Sequence, residues 1–320
     1  MAAMPGRPML LLPFVLLLLI EVSLAASPQQ SSNAWFTDAL KELSKHINRK
    51  PNHQPAKNVI IFIGDGCDIT TNTAARIRKG QLSGAKGEEG YLAYEEFPYT
   101  GLSKTYNTDK QVPDSAGTAN ALFSGVKTRY SIIGLNEQVV FKNCSSMTNE
   151  RKVDSILKLA EEAGMATGIV TTMRVTHATP ASLYAHSPSR NWESDMRKEM
   201  EVSDAQKCKD IAQQLVDFQD SFQQQSLYNG NDEYESHGGQ DVGIYSTGPW
   251  ADLLTGVVEQ NYIFHVMDHA LCLSQSKQSQ CTKHEARGGP KPAGSGARGL
   301  NSAVCLLLTA SVYILVFCLL

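Results

Sequence analysis

This sequence carries almost no excess of charge of either sign. Its 29 lysines and arginines stand against 32 aspartates and glutamates, a net of −3. Such a balance offers neither a basic stripe for nucleic acid nor a field dedicated to an anionic partner. No internal repeat is visible, which removes solenoids and arrays. Cysteine is sparse at seven residues, and Cys305 and Cys318 fall in the apolar C-terminal tail. Five others remain, Cys67, Cys144, Cys208, Cys272 and Cys281, and spacing alone does not fix their connectivity.

Residues 1–26 form a secretory signal: Arg7 supplies the positive start, Leu10 to Ile20 the apolar core, and Ser23-Leu24-Ala25 the small residues before cleavage. A signal anchor is the alternative, but the apolar core is short for a bilayer. Residues 303–320 are apolar to the last position, with no basic tail behind them. The preceding linker, 284–302, is polar and rich in small residues. Small site, polar spacer and apolar tail form the signal for a glycosylphosphatidylinositol (GPI) anchor, expected on the extracellular face of the plasma membrane. Gly288, Gly294 and Ser295 are all eligible attachment residues. A single tail-anchored helix is the other reading of this end.

Between them, residues 27–283 are long enough for one α/β core. Ala34–Leu43 has helical spacing of apolar residues, and Asn58–Ile63 is a continuous apolar run, the pattern of a buried parallel strand. The patterning then predicts a helix over Ile69–Lys79, a strand over Thr100–Tyr106 and a helix over Val153–Ala163. A parallel strand over Ala166–Thr172 and a helix over Ile211–Phe218 follow. Last come a strand over Val242–Tyr245 and a terminal helix over Val257–Leu273. Strands alternating with helices predict an α/β fold: a mostly parallel central sheet covered by helices on both faces.

Four segments carry chemistry. Asp65 follows the first strand in Gly64-Asp65-Gly66, at the sheet edge where open α/β folds collect ligands. Ser115 opens a small-residue helix in Asp114-Ser115-Ala116-Gly117-Thr118-Ala119, with its hydroxyl at the positive end of the helix. In isolation such a serine is a helix cap, as Asp65 is a loop aspartate capping the next helix. Thr176-His177-Ala178-Thr179 lies just beyond the C-terminal end of the third predicted strand, and Tyr184-Ala185-His186-Ser187-Pro188-Ser189-Arg190 follows it. His237 lies in His237-Gly238-Gly239-Gln240-Asp241-Val242. His265 and His269 share one helical face, but no acid follows His265, and the pair reads as packing or surface residues.

Together these segments resemble the alkaline phosphatase family. The resemblance implies hydrolysis of phosphate monoesters through a phosphoserine intermediate at a site with two zinc ions and one magnesium ion. Two zinc ions about 4 Å apart activate the attacking and the leaving oxygen. By the same resemblance Ser115 is the nucleophile and a zinc ligand, and Asp65 bridges zinc and magnesium. His177 and Thr179 surround the magnesium, His177 through water. His237 is a zinc ligand, and Arg190 holds two phosphate oxygens at once. The resemblance also implies a homodimer in which the first helix lies against the second subunit, and the disulfides Cys144–Cys208 and Cys272–Cys281, with Cys67 left as a free thiol. Asn143-Cys144-Ser145 is a glycosylation pattern.

Two features depart from the family. Gln240 stands where the family's pattern has an acid. More consequentially, the likeness jumps across a seam at 217–226 from the family's N-terminal half to its C-terminal end. The missing piece supplies further Asp and His ligands to zinc and a Glu to magnesium. A catalytic zinc takes three protein ligands, so the chain as written is expected to show little or no activity. The alternative reading is a catalytically inactive, GPI-anchored surface binding protein of the same descent.

Overall fold

The computed structural model describes residues 28–218, 223–226, 237–274 and 312–319. The predicted signal over 1–26, the linker over 284–302, most of the apolar tail, Cys281 and the centre of the seam lie outside the described residues. Residues 1–50 and 51–320 form two units. In the first, helix α1 (Ala34–Ile47) is capped by Asn33, whose side chain accepts from Trp35 N, and it leaves Trp35, Leu43 and Ile47 exposed.

The second unit is built on a five-stranded mixed sheet. Strand β1 (Asn58–Asp65) leads to helix α2 (Ile69–Leu82), capped by Asp68, then to β2 (Tyr99–Lys104) and α3 (Ser115–Ser124). Next come α4 (Ile156–Glu162), β3 (Gly168–Thr171), α5 (Ala178–Ala181), α6 (Asp195–Glu201) and α7 (Ile211–Phe218). The chain closes with β4 (Gln223–Ser226), β5 (Val242–Thr247), β6 (Gly256–Glu259), α8 (Tyr262–Leu271) and β7 (Val312–Leu319). The sheet order is β1-β7-β5-β2-β6. Pairs β1–β7 and β2–β6 are parallel, while β2–β5 and β5–β7 are antiparallel.

Helix α3 sits at the centre of the unit. Nine of its ten residues, Ser115 to Phe123, are buried. Ala119, Leu122 and Phe123 pack into one apolar cluster with Ile244, Leu254, Ile263 and Met267, which also receives Val59, Ile61 and Ile63 from β1. Ala116 faces a second cluster with Ile133, Leu157, Ile169, Tyr184, Ile211 and Leu215. The helix ends at Gly125, whose φ of +73° is left-handed, the backbone that glycine adopts at least cost. The cover of the sheet is incomplete: Ile60 and Phe62, on the other face of β1, are exposed.

Three expectations are corrected. Val257–Leu273 is not one helix. The β-branched Val257-Val258 pair as strand β6 beside β2, starting at Gly256 with φ +79°, and the helix begins only at Tyr262. The strand predicted over 166–172 is shorter and lies outside the main sheet, paired in parallel with β4. The helix predicted from Val153 begins at Ile156, because the Ser155 side chain accepts from Lys158 N and caps it there.

Cys144 and Cys208 are disulfide-bonded with Cα atoms 5.5 Å apart. Cys272 is also disulfide-bonded, its predicted partner lying outside the described residues. Cys67 is a half-buried thiol outside the disulfides, donating to Asn72 Oδ1 at 3.3 Å. No helix among the described residues is long and apolar enough to cross a membrane.

Candidate active site

The site is organised by Asp114, to which the sequence pattern assigns no role. Asp114 is fully buried at the N-cap of α3. Its Oδ1 accepts from Asn107 Nδ2 at 3.0 Å, Gly117 N at 3.2 Å and Ser131 N at 3.1 Å. Its Oδ2 accepts from Arg190 Nη1 at 2.9 Å. A buried carboxylate is tolerable only with partners of this number and charge. The cap also places a negative group at the positive end of α3. The sequence signal for this role is an aspartate immediately before a helix start; its arginine partner, 76 positions away, carries no local signal.

Gly117 belongs to the same knot. A Cβ there would stand 2.2 Å from Asn107 Oδ1, so only glycine lets the Asn107 amide reach over α3 to Asp114.

Arg190 turns its second amino group to His177, with Nη2 3.2 Å from Nε2. A guanidinium only donates, so Nε2 accepts and the neutral ring carries its proton on Nδ1. Burial, then the positive charge of Arg190, holds the His177 pKa below the usual histidine range, consistent with a neutral ring. That Nδ1 is buried with no hydrogen-bond partner among the described residues. Two of the five guanidinium N–H donors of Arg190 are committed, which leaves three for an anion. The arginine side chain remains 16% exposed.

Asp65, at the end of β1, accepts from Thr179 Oγ1 at 3.0 Å. Thr179 is held in the short helix α5, one turn beyond the loop shaped by Glu193, which grips Arg174 through Nε at 3.1 Å and Nη2 at 3.0 Å. Burial pushes the Glu193 pKa up, but Arg174 and Thr176 outweigh it and hold this carboxyl below the usual range.

The other two candidates are not joined to this network. Ser115 is 1% exposed, so its hydroxyl is closed to a bulky substrate. His237 is exposed, with its ring centroid 6.5 Å from that of Tyr130. No hydrogen bond links either side chain to Asp65, Arg190, His177 or Thr179. Gln240 donates to Asp68 Oδ2 at 3.0 Å, tying the His237 segment to the start of α2. His265 and His269 stand against the rings of Phe264 and Trp250.

The donors therefore divide by metal. Asp65 and Thr179 present adjacent oxygens, and the Nδ1–H of His177 is free to hold a water. This set suits magnesium, which takes one or two carboxylates and keeps several waters. For zinc the set does not suffice. Among the described residues no group of three or more His, Cys, Asp or Glu is placed to hold a metal ion, whereas catalytic zinc takes three protein ligands.

The alkaline phosphatase family model matches residues 56–224 and 217–273 of this chain. The tissue-nonspecific alkaline phosphatase isozyme of Gallus gallus is 46% identical over 208 residues, covering 64% of this chain and 40% of the relative. That of Homo sapiens is 45% identical over 208 residues, covering 64% and 39%. The solved alkaline phosphatase of the Antarctic bacterium TAB5 overlaps 69% of this chain and 100% of its own, at 20% identity and a TM-score of 0.47. The chain spans about 40% of the length of the curated relatives it matches.

Proposed function

This chain belongs to the alkaline phosphatase family, and from that premise we propose that it keeps the family's grip on phosphate without the means to complete hydrolysis. The observation that supports this most is the Asp114–Arg190–His177 arrangement. The buried carboxylate fixes the guanidinium from one side and leaves three donors for the oxygens of a phosphate monoester. Ser115, one residue from Asp114 at the positive end of α3, is the residue that would accept the phosphoryl group in an intact centre.

Asp65 and Thr179 would hold magnesium, with His177 reaching it through water. There the ion would supply positive charge beside the phosphate. The two zinc ions implied by the family resemblance have no adequate donor set among the described residues. Without them nothing deprotonates Ser115, a weak nucleophile at neutral pH. Burial of Ser115 to 1% adds a steric barrier. These two observations favour the second reading, a surface protein that binds phosphate esters and does not turn them over.

By the same reading the chain enters the secretory route, consistent with the Cys144–Cys208 disulfide of an oxidising compartment. It reaches the extracellular face of the plasma membrane where its tail is exchanged for a lipid anchor. It pairs with a second copy through the exposed row Trp35, Leu40, Leu43 and Ile47. Titration calorimetry with inorganic phosphate tests the grip. Binding is expected for the full chain and lost in Arg190→Ala; equal binding by both would remove Arg190 from the site.

A further inference from the structure

Arg190 is aimed by its backbone as well as by its side-chain partners, and that backbone is held from two sides. On one side Ser131 O accepts from Arg190 N at 2.8 Å, and Ser131 N donates to Asp114 Oδ1 at 3.1 Å. Ser131 makes both bonds at a left-handed φ of +68°, which a residue other than glycine holds only when its surroundings impose it. Ser187 exchanges both backbone bonds with Ile133, at 2.8 and 3.0 Å. Between Ser187 and Arg190, Pro188 has a fixed φ, and Ser187 Oγ donates to Ser189 O at 2.8 Å. The segment has little slack, so a displacement of His186 passes on to Arg190.

On the other side stands Gln214, half-buried in α7. Its Oε1 accepts from His186 N at 2.8 Å, and its Nε2 donates to His186 O at 2.9 Å. One carboxamide thus meets both backbone groups of one residue, as a neighbouring strand would. Nε2 also reaches Lys209 O at 3.2 Å and Asp210 O at 3.3 Å. An N–H at one end of the amide and carbonyls at the other admit a single orientation of the side chain. The Arg190 segment is therefore tied to α7, the helix that ends in Phe218 at the seam.

We propose that Gln214 is a positioning residue for Arg190, and that the assembly that grips phosphate is complete on the N-terminal side of the seam. Its members are Asn107, Asp114, Ser131, His177, Arg190 and Gln214. The role toward phosphate rests on the phosphate-binding reading; the clamp on His186 does not. An anchor at position 214 explains how the grip outlasts a break at 217–226.

The test uses the full chain and two substitutions in α7. Gln214→Met keeps the length of the side chain and removes its four hydrogen bonds. Leu215→Ala thins the apolar contacts of the same helix and leaves those bonds in place. In titration calorimetry with inorganic phosphate, Gln214→Met is expected to raise the Kd roughly tenfold, and Leu215→Ala to leave it within about twofold. A Kd for Gln214→Met equal to that of the unaltered chain overturns the proposal. So does an equal rise in both variants, since the helix would then be support alone.

Hydrogen exchange reads the clamp without phosphate. Gln214→Met is expected to speed exchange of the His186 and Arg190 amides by roughly tenfold or more, while those of Leu122 and Phe123 in α3 hold. Unchanged exchange at His186 and Arg190, or an equal rise in α3, overturns the proposal. A full chain that binds no phosphate removes the phosphate-binding reading, and the exchange comparison alone then decides the clamp.

Discussion

Replacing Asp114 should be the most damaging single change near the site, and its cost can be worked from the contacts. Asp114→Ala removes the acceptor for four donors: Asn107, Gly117, Ser131 and Arg190. Loss of the helix cap costs about 1 kcal/mol. Breaking a buried ion pair while leaving one charge behind costs about 3–5 kcal/mol. The lower end applies here, because the Arg190 side chain is 16% exposed and recovers some hydration. Together the change should cost about 4 kcal/mol, a large part of the roughly 5–15 kcal/mol that holds a native domain. Asp114→Asn separates the two terms. Its carbonyl oxygen can still serve the three neutral donors, but its amide faces the Arg190 donor, so the loss should be about 2 kcal/mol. The assay is urea unfolding followed by tryptophan fluorescence. The midpoint of Asp114→Ala should fall by about 1–2 M with the slope unchanged. A loss under about 0.5 kcal/mol in both variants would refute the claim that Asp114 organises the site.

Three further outcomes follow from the same contacts. Burial, then the charge of Lys152, pushes the His186 pKa down to about 4. Because the folded pKa lies below the unfolded one, the unfolded chain binds the extra proton between about pH 6.5 and 4. Stability is therefore full above that window and falls by about 3 kcal/mol through it; His186→Gln should flatten this slope in unfolding curves taken across it. Gly117→Ala gains about 1 kcal/mol of helix propensity but forces the Asn107 amide away from Asp114, so unfolding curves should show a net loss of about 2 kcal/mol. The Cys144–Cys208 bond spans 64 positions, so Cys144→Ser with Cys208→Ser should cost about 4 kcal/mol by loop closure, read as a lower urea midpoint than that of the oxidised chain.

Local signals made half of this structure legible. The run Val59–Ile63 reads as β1 because a continuous apolar stretch before a Gly-Asp-Gly turn has few other uses. The helix after Asp114 reads from its small residues and acidic cap, and α7 from its apolar spacing and its end before the polar seam. What was missed depends on partners far along the chain. Val257-Val258 continue a helical pattern in the sequence, and only pairing with Leu102 and Ser103 makes them a strand. The tail reads as an anchor signal by composition, and nothing local says that Ile61 lies opposite Leu315. At the site, Asp65, Thr179, His177 and Arg190 were expected from the family pattern, and the structure holds them in two bonded groups, Asp65 with Thr179 and Arg190 with His177. Ser115 and His237 were expected the same way, yet one is buried and the other exposed, and no group of three or more His, Cys, Asp or Glu among the described residues is placed to hold a metal ion.

On the proposed reading, the grip on phosphate survives here without hydrolysis. Its most direct test is the release of p-nitrophenol from p-nitrophenyl phosphate at alkaline pH by the full chain with zinc and magnesium, beside Ser115→Ala. Equal, background rates are expected for the two proteins, with Ser115-dependent turnover only after the family's middle segment is restored at the seam. Hydrolysis by the unmodified chain that disappears in Ser115→Ala would contradict it, showing that the shortened site assembles a working metal centre.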